Sequence, residues 1–544
     1  LLLKQEICNL IEWSVGNVHG LSSISRFMKN LGGCTQNGKL YWRLEEKQIV
    51  SIILKEWVQV ESAQTIHIRK CILMGSPGVG KSTLLCLMVF YVVFEQKKNV
   101  LLYRKLMKSD QDNCLVYLGY ENNQVKYWSL SNCEESIARA IYKKLRHEQE
   151  VWLMLDGFIY KDIPEGLRTF KMLATSQQVD LKDQERDHAY CCLHPCWKLK
   201  DLEHLGLLLN NWEADYVSKR YYYSGGSVRE FLRSSTLEIE RGILTAITSV
   251  QNSLALLSNC AVTRSGNDQV DRLRRTFVMD PTIQENFLSP KGWEQIIDSE
   301  FAVLTLSGQL KPDYLFKIYS WAKNTGHASL AESVFELSLH LLAADNRLKL
   351  YASKYDFPQV GKPRHVDVKK LCLQRGRAKC CGTATDYKND LIEWRDDEAY
   401  VYWFPACDNF PNIDSIVKLK LDSGATQVAY LQITLAEKHS FDDIQLQTLN
   451  KIFLKGEQSI PPIYIVVCNS VESCGTIILE PANKVLNARR QNIEIFAGHF
   501  KMDSDISEDG PNNGASMKFI PTPNYELRKR ARTTSFQDDE AQPT

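Results

Sequence analysis

The densest chemical pattern in the chain is Gly75-Ser76-Pro77-Gly78-Val79-Gly80-Lys81-Ser82, which reads G-x-x-x-x-G-K-S. A short apolar run, Cys71 to Met74, precedes it, and a long one follows Thr83. A strand that turns through glycines into a helix suits phosphate binding. Glycines at 75, 78 and 80 let backbone N–H groups close around phosphate oxygens. The helix N-terminus behind them favours negative charge. Lys81 would reach the β- and γ-phosphates, and Ser82 would offer its hydroxyl to Mg2+. The expected nucleotide contacts are Gly75, Ser76, Pro77, Gly78, Val79, Gly80, Lys81, Ser82 and Thr83, with ATP and Mg2+ as the expected ligands.

Such a site needs a second magnesium-side oxygen. Val151 to Leu155 are five apolar residues ending in Asp156, at the strand edge where sites of open α/β sheets lie. Asp156 is the expected carboxylate; the bland alternative is a simple strand-ending acid. Gly157 follows, where many ATPases place a Glu to activate water. The base must come from elsewhere, or turnover is slow. Asp162 is the nearest acid downstream, with Asp201 and Glu203 farther along. Ser176 ends the next strand-like run and is a candidate γ-phosphate sensor or an ordinary turn residue. Gly225-Gly226-Ser227-Val228-Arg229 opens a helix, and Arg229 would reach back to the nucleotide or sit as a surface arginine.

The elements that must hold these residues follow from the pattern. Apolar runs at 67–74, 100–106, 114–120, 151–155 and 170–174 alternate with helical stretches, which predicts a parallel sheet covered on both faces. The predicted fold class is α/β. It comprises an N-terminal segment (1–65), a P-loop NTPase (66–240), a helical region (241–353), a linker (354–385), a mixed α/β restriction-endonuclease-like domain (386–500) and a disordered tail (501–544). A chain of 544 residues accommodates about three or four such units. A hydrophobic share of 44% and a charged share of 24% exclude global disorder. A net charge of +1 argues against coating nucleic acid through bulk electrostatics and leaves room for a local basic site.

The C-terminal half offers a second constellation. Asp414 lies in a strand-like run, and Gln432 and Thr434 lie in the next, followed by Glu437-Lys438-His439. An acid on one strand and a polar oxygen on its neighbour is the logic of metal-dependent nucleases of the restriction-endonuclease type. Asp414 would be the metal carboxylate, Gln432 the second oxygen donor, and Glu393 on a preceding helix would complete the set. Where the D/E-x-K pattern expects Lys the chain has Thr434, with Lys438 four residues on. The competing reading is a degenerate fold in which Asp414 and Gln432 only brace the sheet.

The order G-S-P-G-V-G-K-S, V-W-L-M-L-D-G, M-L-A-T-S-Q and Y-Y-Y-S-G-G-S-V-R-E-F over residues 66–235 resembles the ATPase module of the Crinkler effectors. It is also similar to that of the related retrotransposon hot spot proteins. Many Crinkler C-termini likewise carry an F-P-x-x-D segment and a Q-x-T strand followed by His. The resemblance implies ATP binding and hydrolysis coupled to a nuclease-like module acting on DNA or RNA. Destination in a host nucleus after secretion also belongs to what it implies, whereas a homo-oligomer goes with a reading in which nucleotide binding changes assembly. The L-x-L-F-L-A-K header of secreted members does not occur and the chain begins at Leu1 without Met, so a missing N-terminus is expected.

Other signals are weaker. No apolar run reaches the roughly 18–20 residues that span a bilayer. Sixteen scattered cysteines give no disulfide framework and suit a reducing compartment. His188, Cys191, Cys192, His194 and Cys196 cluster without a second ligand pair at zinc spacing, which favours a loop or packing role. Arg528-Lys529-Arg530-Ala531-Arg532 is a candidate nuclear address. Two alternatives stand beside a coupled ATPase and nuclease: a nucleotide-dependent switch with a non-catalytic C-terminal domain, and a decayed family copy. A cytoplasmic location goes with the absence of secretion.

Overall fold

The computed structural model describes residues 2–55 except 36, 70–106, 113–176 except 122 and 123, 179, 189–249 and 272–307. It also describes 310, 312–355, 367–382, 387–406, 410, 413–454, 459–481 and 493–500. The architecture is mixed α/β, in two units that meet in the chain at Ala302 and Val303.

In the first unit seven strands form one sheet. They are β1 (Lys70–Met74), β2 (Asn99–Arg104), β3 (Cys114–Glu121), β4 (Gln124–Ser131), β5 (Val151–Asp156), β6 (Met172–Thr175) and β7 (Ala189–Leu193), in the spatial order β4-β3-β2-β5-β6-β1-β7. The five strands from β2 to β7 in that order run parallel, while β3 and β4 form an antiparallel hairpin at one edge. The expected all-parallel sheet is therefore a mixed one. Two of its strands lie outside the expected apolar runs: β4 is exposed at seven of its eight positions, and β7 is made from the Cys191-Cys192 cluster.

Helix Lys81–Phe94 is buried all round, from Leu84 to Val93. A helix without a polar face must be covered on every side. The sheet covers one side, through Leu102, Met154 and Ala174. The N-terminal helices Leu2–Ile7, Ser22–Met28 and Leu44–Ile53 cover the other, through Ile7, Ile24, Met28 and Ile49. The N-terminal segment thus belongs to this unit's core. On the opposite sheet face, Ala138 and Tyr142 of helix Glu135–Glu148 pack against Leu101, Leu153 and Leu155.

Helices Leu199–Asn210, Ala214–Ser224 and Thr236–Thr248 follow, and then a hairpin, Arg274–Val278 with Trp293–Ile297. The hairpin interrupts the region expected to be helical.

The second unit contains helices Pro312–Asn324 and Ala328–Ala344 and an eight-stranded sheet. Its strands are β8 (Leu350–Lys354), β9 (Lys369–Lys370), β10 (Arg377–Cys380), β11 (Tyr400–Phe404), β12 (Ser415–Lys420), β13 (Thr426–Ile433), β14 (Ile463–Cys468) and β15 (Glu494–Phe500). Their order is β9-β8-β15-β14-β13-β12-β11-β10. β12 is antiparallel to both neighbours, whereas β13, β14 and β15 are parallel. Residues expected to form a linker supply β9 and β10. Helices Lys388–Asp396 and Asp443–Phe453 cover one face through Trp394, Leu446 and Phe453. Helix Ala328–Ala344 meets the sheet through Phe335 stacked on Phe500 (4.8 Å) and His340 bonded to the Tyr402 hydroxyl (2.7 Å). No helix among the described residues is long and apolar enough to cross a membrane.

Candidate functional site

The loop 75–80 leaves β1 and enters helix Lys81–Phe94 at the carboxyl edge of the sheet. Lys81 Nζ donates to Gly75 O (2.8 Å) and Ser76 O (2.7 Å), which keeps the ammonium inside the loop. Ser82 Oγ donates to Asp156 Oδ1 at 2.8 Å. The sheet order makes this contact possible, because only β6 separates β1 from β5. The end of β6 therefore emerges between the loop and Asp156, and there Ser176 is exposed. The expected set Lys81, Ser82 and Asp156 is brought together by the fold.

Asp156 also accepts from Arg104 Nε through Oδ2 (3.0 Å), both side chains being buried. Arg104 Nη1 in turn donates to Leu31 O (2.7 Å) and Gly33 O (2.6 Å) of the N-terminal segment. Sequence pattern had no means to find Arg104, since its role comes from a register that pairs it with Asp156 across β2 and β5. Ser82 and Asp156 present hard oxygen donors of the kind Mg2+ takes, side by side at the loop's end. Their chemistry fits that ion.

Gly157 has a physical reason to be glycine. Its φ is +79°, and a Cβ there would stand 2.2 Å from Lys105 O. A Glu cannot occupy the place after Asp156 without moving the β2 end. Asp162 is exposed in the short turn Tyr160–Asp162, and Asp201 lies beside Arg43, Glu45 and Lys198.

The backbone of Arg229 comes to the loop. Its backbone N–H donates to Gly78 O (3.1 Å), and a Cβ on Gly78 would stand 2.8 Å from Arg229 Cβ. Arg229 itself is exposed. The Gly225-Gly226 turn that sets it there is tied by Asp298, a residue no motif pointed to. Asp298 accepts from Gly226 N (2.5 Å), from the Tyr221 hydroxyl (3.2 Å) and from Arg275 Nε (3.0 Å). Burial pushes its carboxyl up, opposed by the Arg275 charge. The same hairpin closes on the loop: Thr276 N donates to Ser76 Oγ (3.2 Å). Gly75, Ser76, Ser176, Thr276 and the buried Arg274 line a small cleft of about 40 Å³. Arg274 thus joins the cations around the loop.

In the second unit Asp414 and Gln432 do meet. Gln432 Nε2 donates to Asp414 Oδ2 (2.7 Å), and Ile433 N donates to the same oxygen (2.6 Å). Both residues are buried, Asp414 at 1% exposure. Glu393 points elsewhere: its side chain is 71% exposed and pairs with Lys379 at 3.1 Å. Thr434 is buried and caps Ala436 N, while Lys438 is exposed on a separate strand, Lys438–Phe441. Among the described residues no three His, Cys, Asp or Glu side chains gather as a metal group. His188 and the basic run 528–532 lie outside the described residues.

No family model matches the chain, and the search of curated proteins returns no match.

Proposed function

We propose that residues 1–302 bind a nucleoside triphosphate, ATP in the first instance, and hydrolyse it slowly enough to act as a nucleotide-dependent switch. The observation that carries this reading is the Ser82–Asp156 contact at the end of a loop that already holds Lys81. In the reaction a water oxygen bonds to the γ-phosphorus, and the bond to the β,γ-bridging oxygen breaks. The leaving diphosphate takes the electron pair, and the attacking water releases its proton to solvent. Lys81 holds the β- and γ-oxygens, and Arg229 and Arg274 stand close enough to the loop to steady charge on the transferred group. Mg2+ held by Ser82 and Asp156 would supply neutralisation of charge developing on the phosphate oxygens. With Gly157 fixed by its backbone, the position that follows Asp156 carries no carboxylate to activate the water, which favours slow turnover. Steady-state ATP hydrolysis by the full chain tests the proposal. Slow turnover lost in Lys81→Ala is expected; equal turnover in Lys81→Ala would overturn it.

For the second unit the resemblance points to a restriction-endonuclease-like body acting on DNA or RNA. The two N–H donors on Asp414 Oδ2 favour the non-catalytic form of that reading, in which the pair braces β12 against β13. Plasmid incubation with Mg2+ or Mn2+ discriminates the two. Cleavage abolished by Asp414→Ala would restore the nuclease assignment.

A further inference from the structure

We propose that Cys34 and Cys86 are a redox-sensitive thiol pair, which a peroxide oxidises to a disulfide that displaces the carboxylate at the end of the 75–80 loop. The pairing stands on its own geometry. Only its effect on turnover rests on the loop being the triphosphate site.

Cys34 lies in the loop 31–35 of the N-terminal segment, and Cys86 lies in helix Lys81–Phe94. Thr83 Oγ1, on that helix, donates to Cys34 O at 2.7 Å. Thr83 and Cys86 are three residues apart and so share one helix face. The bond that fixes Cys34 therefore sets it over Cys86, and the two thiols hydrogen-bond to each other. Both are reduced, Cys86 fully buried and Cys34 partly so. Closing their contact to the ~2.05 Å of an S–S bond asks for a shift of the loop 31–35, which has no helix or strand to break. Cys34 also borders a cavity of about 140 Å³, where one water needs roughly 10–15 Å³. A peroxide in that space meets Cys34 first.

The hydrogen bond, then burial, raises the Cys34 thiol well above its ordinary range, and the same bond lowers Cys86. The Arg104 guanidinium beside them draws both down and favours the thiolate on which oxidation depends. The Cys34 sulfur attacks one peroxide oxygen, the O–O bond breaks, and the leaving hydroxide takes the Cys34 proton. The Cys86 sulfur then attacks the resulting sulfenic sulfur. The S–S bond forms, the S–O bond breaks, and the departing hydroxide takes the Cys86 proton. The two thiols lose two electrons and two protons, and one peroxide becomes two waters.

The same loop reaches the site. Leu31 O and Gly33 O accept from Arg104 Nη1, whose Nε holds Asp156 Oδ2. Drawing Cys34 onto Cys86 moves the adjoining Gly33 carbonyl, and the Arg104–Asp156 pair with it. Cys114 is the third thiol near Arg104, but its Sγ donates to Leu31 O at 3.3 Å. A disulfide of this reversible kind suits a reducing compartment, where such bonds are transient and redox-sensing.

Peroxide treatment of the full chain, blocking of the remaining thiols and tryptic mapping test this. Trypsin cuts after Lys29, Lys39, Lys81 and Lys97, which leaves each thiol in a peptide of its own. Peptide 30–39 is expected joined to peptide 82–97, and released by dithiothreitol. ATP turnover should fall about tenfold on oxidation and return on reduction. Cys34→Ser and Cys86→Ala should turn over ATP like the parent when reduced, which shows the fold intact, and lose the response to peroxide. Joining of either peptide to 109–126, which carries Cys114, would overturn the pairing. So would oxidation of other cysteines without the 30–39 to 82–97 link. The link with unchanged turnover would overturn its effect on the site. If the reduced parent shows no turnover, the loop assignment has failed, and the presence or absence of the link still decides the pairing.

Discussion

Ser82 Oγ stands 2.8 Å from Asp156 Oδ1, across 74 positions of sequence, while Arg104 holds the other oxygen of the same carboxylate. Asp156 therefore serves the site and the core at once. Asp156→Asn keeps the shape and removes the charge, and should lower ATP turnover about 100-fold. Asp156→Ala strands the buried Arg104 guanidinium and should also cost about 3–5 kcal/mol of stability. Hydrolysis rates and urea unfolding on both variants separate the two losses. Equal stability of the Ala variant and the parent would show that Arg104 does not depend on this partner.

Gly157→Ala places a Cβ against Lys105 O in a left-handed backbone. Destabilisation of about 1–3 kcal/mol is expected, read as a lower denaturation midpoint. Gly157→Glu should lose stability in the same way and gain no hydrolysis. A stable Gly157→Glu with faster turnover would contradict the steric account.

His194 gives stability a definite pH dependence. Its folded pKa lies below the unfolded 6.5, so the unfolded chain takes up the proton first as pH falls. Its contribution is complete above pH 6.5 and is lost on acidification below that, at up to about 1.4 kcal/mol per pH unit. Glu46 and Asp298 have raised pKa values and act with the opposite sign, losing stability as pH rises through their folded values. The difference between the parent and His194→Gln isolates the histidine. Parallel unfolding profiles from pH 7 to 5 would refute its role.

Asp298→Ala removes the acceptor of Gly226 N, Tyr221 and the buried Arg275. A loss of about 3–5 kcal/mol is expected from the unpaired guanidinium alone. Nucleotide affinity should fall with it, because the turn it ties carries Arg229 to Gly78. Thermal unfolding with and without ATP measures both effects.

Asp414→Ala leaves the Gln432 amide and Ile433 N–H without their acceptor in a buried place. It should cost about 1–3 kcal/mol in unfolding experiments. Gln432→Ala should cost less, since Ile433 N keeps its bond. If Asp414→Ala is neutral, the bracing role fails.

The strand–glycine loop–helix unit at 70–94 and the strand ending in Asp156 were legible in the sequence because their signals are local: glycines at fixed spacing, then an apolar run with one acid at its end. The Asp414 and Gln432 strands were legible for the same reason. Arg104, Arg274 and Asp298 were not, because each gains its role only when distant strands pair. Asp298, for example, meets Gly226 across 72 positions. Strand β4 escaped because its polar–apolar alternation slips by one position between Tyr127 and Trp128, so that neither face of this exposed edge strand is consistently apolar. Strands β8 and β15 escaped because Leu350 finds Phe500 only in the folded sheet.

The tie between Ser76 and Thr276, with Asp298 behind it, also sets an order of events during biosynthesis. A ribosome adds about 5–20 residues per second, so about 220 residues and some tens of seconds separate the loop's emergence from that of Asp298. Until then the Gly225-Gly226 turn lacks its clamp, and the nascent chain carries the glycine loop 75–80 without the tie from Thr276 to Ser76. A chain interrupted near residue 240 never acquires that clamp.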